Sequence, residues 1–134
     1  GVEVGLHLLR LMTSGIFDRY PDLQIMVGHM GEALPFWIYR IDYMHQATVR
    51  SKRYPFMKPL SRTILEYLRS NVLVTTSGMA WAPAILFTQQ VVGEDRVMYA
   101  IDYPYQFHAD EVRTHDNLDI PLARKKKLRK LRNN

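Results

Sequence analysis

The sequence predicts an α/β fold of about three parallel strands with flanking helices. Short apolar runs at residues 23–27, 72–76 and 97–101 each read as a covered strand, because parallel strands buried on both faces lose the alternation of half-exposed ones. The stretches between them carry apolar residues at helical spacing and are long enough for crossovers between parallel neighbours. Two of the runs end on a titratable residue followed by turn formers, in Gly28-His29 and Asp102-Tyr103-Pro104, where α/β proteins build their sites.

The elements follow in order. Residues 3–14 place Val4, Leu8 and Leu11 on one face widened by Leu9 and Met12, which makes an amphipathic helix with Gly15 as its C-terminal stop. Pro21 then disfavours the helical conformation at Tyr20, so a turn is expected over Phe17–Asp22. Leu23–Val27 is the first strand. Leu34, Trp37, Ile38, Ile41 and Met44 mark a helix from Ala33 to about Arg50, and Ser61 is the expected cap of another that runs to about Ser70. Val72–Thr76 is the second strand, ending in Ser77-Gly78. A helix over Ala80–Val92 is closed by Gly93, Val97–Ile101 is the third strand, and residues 109–115 and 121–132 are expected to be helical.

Composition removes several classes of function. No apolar stretch approaches the roughly 18 residues of a membrane span, and no secretory signal opens the chain. The absence of cysteine excludes disulfides, thiolate nucleophiles and Cys-based zinc sites, and it permits a reducing, cytoplasmic setting. Any metal must be held by His, Asp or Glu. The net charge of +5 is local: residues 113–134 hold eight Lys/Arg against two acids, whereas the first 112 residues carry −1. Such a run reads first as a solvated helix face or frayed end, with a nucleic-acid patch as the minor reading.

Three strands make an incomplete sheet. A (β/α)8 barrel takes about 250 residues, so barrel sequence of this length would hold only a C-terminal portion. Gly1 in the first position fits a processed chain or a fragment.

Asp18-Arg19-Tyr20-Pro21, Gly28-His29-Met30-Gly31-Glu32 with Leu34-Pro35-Phe36 and Arg40, and Asp102-Tyr103-Pro104-Tyr105 together resemble the C-terminal half of the amidohydrolase-2 type metal-dependent decarboxylases. Members such as γ-resorcylate and 2,3-dihydroxybenzoate decarboxylase are those the chain is similar to. The resemblance runs from about residue 3 to residue 113. It implies that the strands are the sixth to eighth of a TIM-type barrel, with residues 1–120 a partial barrel and 121–134 a basic helix or tail.

The resemblance also implies roles. Asp102 matches a metal-ligating aspartate, for which Zn or Mn suits a carboxylate; capping the next turn is the alternative. His29 matches a histidine facing the substrate, and imidazole moves protons near neutrality. Glu32 would orient that imidazole, or serve the first turn of the following helix. Arg40 resembles an arginine holding the substrate carboxylate through its planar fork, with a surface ion pair to Asp42 as the other reading. His108 and His115 receive no role, and Ser77 lacks the partners of a serine nucleophile.

The implied activity is non-oxidative decarboxylation of a hydroxylated aromatic acid, with either Asp102 or His29 as proton donor. A hydrolase of the same superfamily and a non-catalytic fragment are the alternatives. The open edge of a three-stranded sheet points to a homo-oligomer. Residues supplying other metal ligands in the family would precede residue 1.

Overall fold

The computed structural model describes residues 1–106 and 108–130. Helix α1 spans Val2–Thr13, and a short α2 spans Ile16–Arg19. Strand β1 is Ile25–Val27, followed by a single turn, α3 (His29–Glu32), and the long α4 (Leu34–Ser51). Helix α5 (Ile64–Asn71) runs directly into β2 (Val72–Thr75). Helix α6 (Ala82–Val92) leads through a 3-10 turn at Glu94–Arg96 to β3 (Val97–Met98), and α7 (Ala109–Asp116) and α8 (Leu122–Lys130) close the described chain.

The three strands lie in the order β1-β2-β3, all parallel, with Val27 opposite Val74 and Val74 opposite Val97. This is the expected sheet. One face, carrying Val27, Val72, Val74 and Val97, is buried beneath the helices with Leu8, Met12, Phe17, Ile64, Tyr67, Leu68 and Ile85. Met26, on the opposite side of the pleat, is more than half exposed, so β1 is not covered on both faces as its continuous apolar run suggested. Phe17 and Tyr67 are fully buried with ring centroids 5.7 Å apart. Each contributes about 1.5–3 kcal/mol by leaving water, and together they seat α2 on α5.

Four expectations need correction. Gly15 stops α1 in the left-handed conformation as expected, but the chain beyond it forms a four-residue helix where a turn was expected. The cap of α5 is Thr63, in a reciprocal box with Glu66, while Ser61 hydrogen-bonds Asp18. Strand β3 stops at Met98, since beyond it the side chain of Thr76 replaces the ladder: its Oγ1 donates to the Ala100 carbonyl and accepts from the Ala100 N–H. The basic helix α8 is anchored, with Leu128 buried, Arg124 paired to Glu94 and Arg129 to Asp116. The last two residues of the helix expected over 121–132 lie outside the described residues.

Candidate active site at the strand ends

Beyond β1 the backbone does something a sequence pattern does not foretell. From His29 to Ala33 five consecutive residues have positive φ (47°, 56°, 76°, 53° and 65°), so α3 is wound left-handed. Only Gly31 takes that conformation freely; for an L-residue it costs roughly 1–2 kcal/mol each. Packing holds the turn in place. Met30 is buried, a Cβ on Gly31 would press on Pro35 at 3.2 Å, and a Cβ on Gly5 of α1 would meet the Glu32 carbonyl at 2.9 Å. Glycine at position 5 is what lets α1 lie against the turn. Strain kept by surrounding structure at a strand end points to a functional site.

The turn brings its two titratable side chains together. His29 Nδ1 lies 2.7 Å from Glu32 Oε1, a hydrogen bond within the turn, and Glu32 is 10% exposed. The other ring nitrogen, Nε2, faces Asp102 Oδ2 at 3.7 Å. Asp102 itself has a φ of 56°, and its carbonyl accepts from the Tyr105 and Gln106 N–H groups at 2.8 and 3.1 Å. His29, Glu32 and Asp102 therefore form one row, with the imidazole between two carboxylates.

Gly78, beyond β2, supplies the floor and was missed. Its φ is +64°, and a Cβ there would lie 2.9 Å from the His29 ring, 2.9 Å from Gln106 Oε1 and 3.3 Å from Asp102 Oδ2. The strand-end pair Ser77-Gly78 marks the position in the sequence, but a serine there points first to a nucleophile. Ser77 hydrogen-bonds Thr75 Oγ1 at 2.9 Å, in keeping with its lack of a nucleophile's partners. Also unread was Glu111 of α7, buried and pushed above the usual carboxylate range by burial and by the charge of Asp102, with His108 opposing.

Arg40 is not brought into the row. It is exposed on α4, ~9 Å along the helix axis from Leu34. There it lines a groove of about 490 Å³ with Leu9, Trp37 and Met44, which includes none of the three row residues. Its alternative partner Asp42 instead accepts from the Ile64 and Leu65 N–H groups at the start of α5.

Asp102 suits a divalent cation as an oxygen donor, with the His29 imidazole beside it. Among the described residues no three His, Asp or Glu side chains gather as a metal-binding group, and a catalytic ion takes at least three protein donors. The row fits part of a metal site.

Parallel strands with crossover helices and a polar row at their C-terminal ends define a portion of a TIM-type barrel. The Amidohydrolase family model, Amidohydro_2, matches residues 1–133, and the chain belongs to that family. It is 71% identical to 5-carboxyvanillate decarboxylase from Novosphingobium aromaticivorans DSM 12444, solved with manganese and 4-hydroxy-3-methoxy-5-nitrobenzoic acid; the TM-score is 0.91 over 94% of this chain and 36% of that one. Dihydroxybenzoic acid decarboxylase from Polaromonas sp. JS666, solved with manganese and 2-nitroresorcinol, is 34% identical with a TM-score of 0.81, over 92% and 36% of the two chains. The gamma-resorcylate decarboxylase of Polaromonas sp. is 35% identical over 96% of this chain and 38% of its own length. The chain thus spans under two fifths of these relatives. The expected family and barrel fold are borne out, and manganese, one of the two metals anticipated, is present in both of these structures.

Proposed function

We propose that this chain contributes the last strand-end portion of a manganese-dependent decarboxylase site acting on a hydroxylated aromatic acid of the 5-carboxyvanillate type. One observation carries the reading: 71% identity and a shared backbone with 5-carboxyvanillate decarboxylase, against 34% with the dihydroxybenzoic acid enzyme. Asp102 is the oxygen donor to the metal, and the bound ion supplies the charge that holds the substrate carboxylate and its ortho hydroxyl. Arg40, which lies away from the row of its own chain, binds a substrate carboxylate across a subunit contact. Glu32 fixes the His29 ring through Nδ1, leaving Nε2 aimed between Asp102 and the substrate.

In the reaction a proton reaches the carboxylated ring carbon, the ring–carboxyl bond breaks, its electron pair returns to the ring, and CO₂ leaves. His29 moves that proton, directly or by way of Asp102. The exposed aromatic face of α4, with Phe36, Trp37, Tyr39 and Tyr43, supports a homo-oligomer. No helix among the described residues is long and apolar enough to cross a membrane, and the absence of cysteine fits a cytoplasmic protein.

The test is a chimera in which this chain replaces the matching segment of the N. aromaticivorans enzyme. With manganese it is expected to release CO₂ from 5-carboxyvanillate faster than from 2,6-dihydroxybenzoate, and to leave aryl esters and lactones intact. Ester or lactone cleavage would favour the hydrolase reading. A folded, manganese-loaded chimera inert toward all of them would favour a non-catalytic role.

A further inference from the structure

Behind the Asp102 turn lies a second polar cluster that the reaction does not use. Helix α7 presents Glu111 and His115 four residues apart on one face, and they are 8% and 1% exposed. Tyr99, on the chain that continues β3 toward Asp102, packs on the His115 imidazole with ring centroids 4.3 Å apart. Tyr99 Oη, Glu111 Oε2 and His115 Nε2 are closed off from solvent and have no hydrogen-bond partner among the described residues. Buried polar atoms in folded proteins are paired with protein or ordered water, so each of these three calls for a partner.

Their chemistry says which partner. The Arg129 guanidinium, always protonated, faces His115 Nδ1 at 3.3 Å. In that contact Nδ1 carries the lone pair, which leaves the proton on Nε2. Asp116 Oδ1 lies farther from Nδ1, at 3.5 Å, and is itself paired with Arg129. Burial and the Arg129 charge hold His115 below the ordinary imidazole range, in keeping with a neutral ring, and burial keeps the Tyr99 phenol protonated. The cluster therefore offers the Tyr99 and His115 donors and, at Glu111, a carboxyl oxygen that accepts. A water molecule accepts two hydrogen bonds and donates one; ammonium has no lone pair to accept, and a halide no proton to donate.

We propose that Tyr99, Glu111 and His115 build an interior site for one water molecule that pins α7 to the strand end presenting Asp102. Tyr99 stands three residues before Asp102, and its N–H donates to the Leu128 carbonyl at 2.9 Å, so α8 is tied to the same point. Tyr99, Glu111 and His115 are positioning residues. The site stands whatever Asp102 does; only its bearing on catalysis rests on the metal reading.

A crystal structure of the chimera, fine enough to place solvent, is expected to show one water within hydrogen-bond distance of all three atoms. Direct bonds among the three side chains, or no solvent peak between them, would overturn the site. Tyr99→Phe, which keeps the ring, is expected to raise the unfolding equilibrium constant about 5- to 30-fold. It is also expected to speed amide exchange at Tyr105 and Gln106, whose N–H groups bond the Asp102 carbonyl, while leaving Gly31 protected. An unchanged unfolding constant with unchanged exchange at both amides would refute the pinning role.

Discussion

The two ends of the same three strands are built on opposite principles. At the N-terminal ends side chains bond the carbonyls that flank the strands: Asn71, fully buried, donates from Nδ2 to the Pro21 and Leu23 carbonyls, both at 2.8 Å. Arg96 donates to the carbonyls of Val72 and Ser70 and to Gln24 Oε1. At the C-terminal ends lie five of the six non-glycine residues with positive φ among those described, together with a row of facing titratable groups and the unpaired buried atoms behind it. Barrels separate a stabilising face from a chemical one in this way. The difference teaches that strain here is local, and that the opposite end of the sheet helps to offset it.

Four substitutions break or sharpen that contrast. The largest effect is expected for His29→Asn in the chimera, which should lower the decarboxylation rate about 10²- to 10⁴-fold without lowering the thermal midpoint. A rate near that of the unsubstituted chimera would mean that the C-terminal end is not where the chemistry lies. Asn71→Ala, at the other end, should cost about 2–3 kcal/mol in urea denaturation by stranding two carbonyls, with turnover per folded molecule unchanged. If turnover fell as far as stability, the two ends would not be separable.

Ala33→Gly relaxes an exposed left-handed residue and should stabilise the fold by about 0.5–1 kcal/mol. Destabilisation would mean that the turn is not strained. The smallest effect concerns Asp18, whose carboxyl is held below its ordinary value by hydrogen bonds from Ser61 and Tyr67. A depressed folded-state pKa gives stability that is present above the unfolded value of about 3.9 and is lost as pH falls through the folded value. Asp18→Asn should therefore be less stable than the parent at pH 7, the gap closing with acid. A gap that is constant with pH would assign the loss to packing.

Much of this was legible in the sequence, for physical reasons. Covered parallel strands need unbroken apolar runs, and the runs at 23–27, 72–76 and 97–101 showed each strand, if not its ends. Strand ends followed at once by Gly28-His29 and Asp102-Tyr103 marked the row, and the structure brings His29, Glu32 and Asp102 together. The capping box Thr63-x-x-Glu66 was present and overlooked in favour of Ser61. The left-handed turn could not be read, because His, Met, Glu and Ala do not prefer that conformation; Gly5, Pro35 and the sheet impose it from a distance. Nor could Arg40 be placed, since helical spacing fixes its face of α4 without saying what that face meets.

The central claim is a division of labour in the row: Asp102 holds the metal and His29 moves the proton. Manganese affinity of the chimera, titrated by the electron-paramagnetic signal of the free ion, tests it directly. Asp102→Asn should weaken binding at least ~100-fold, whereas His29→Asn should stay within about tenfold of the parent while losing turnover. Unchanged manganese affinity in Asp102→Asn would contradict the account.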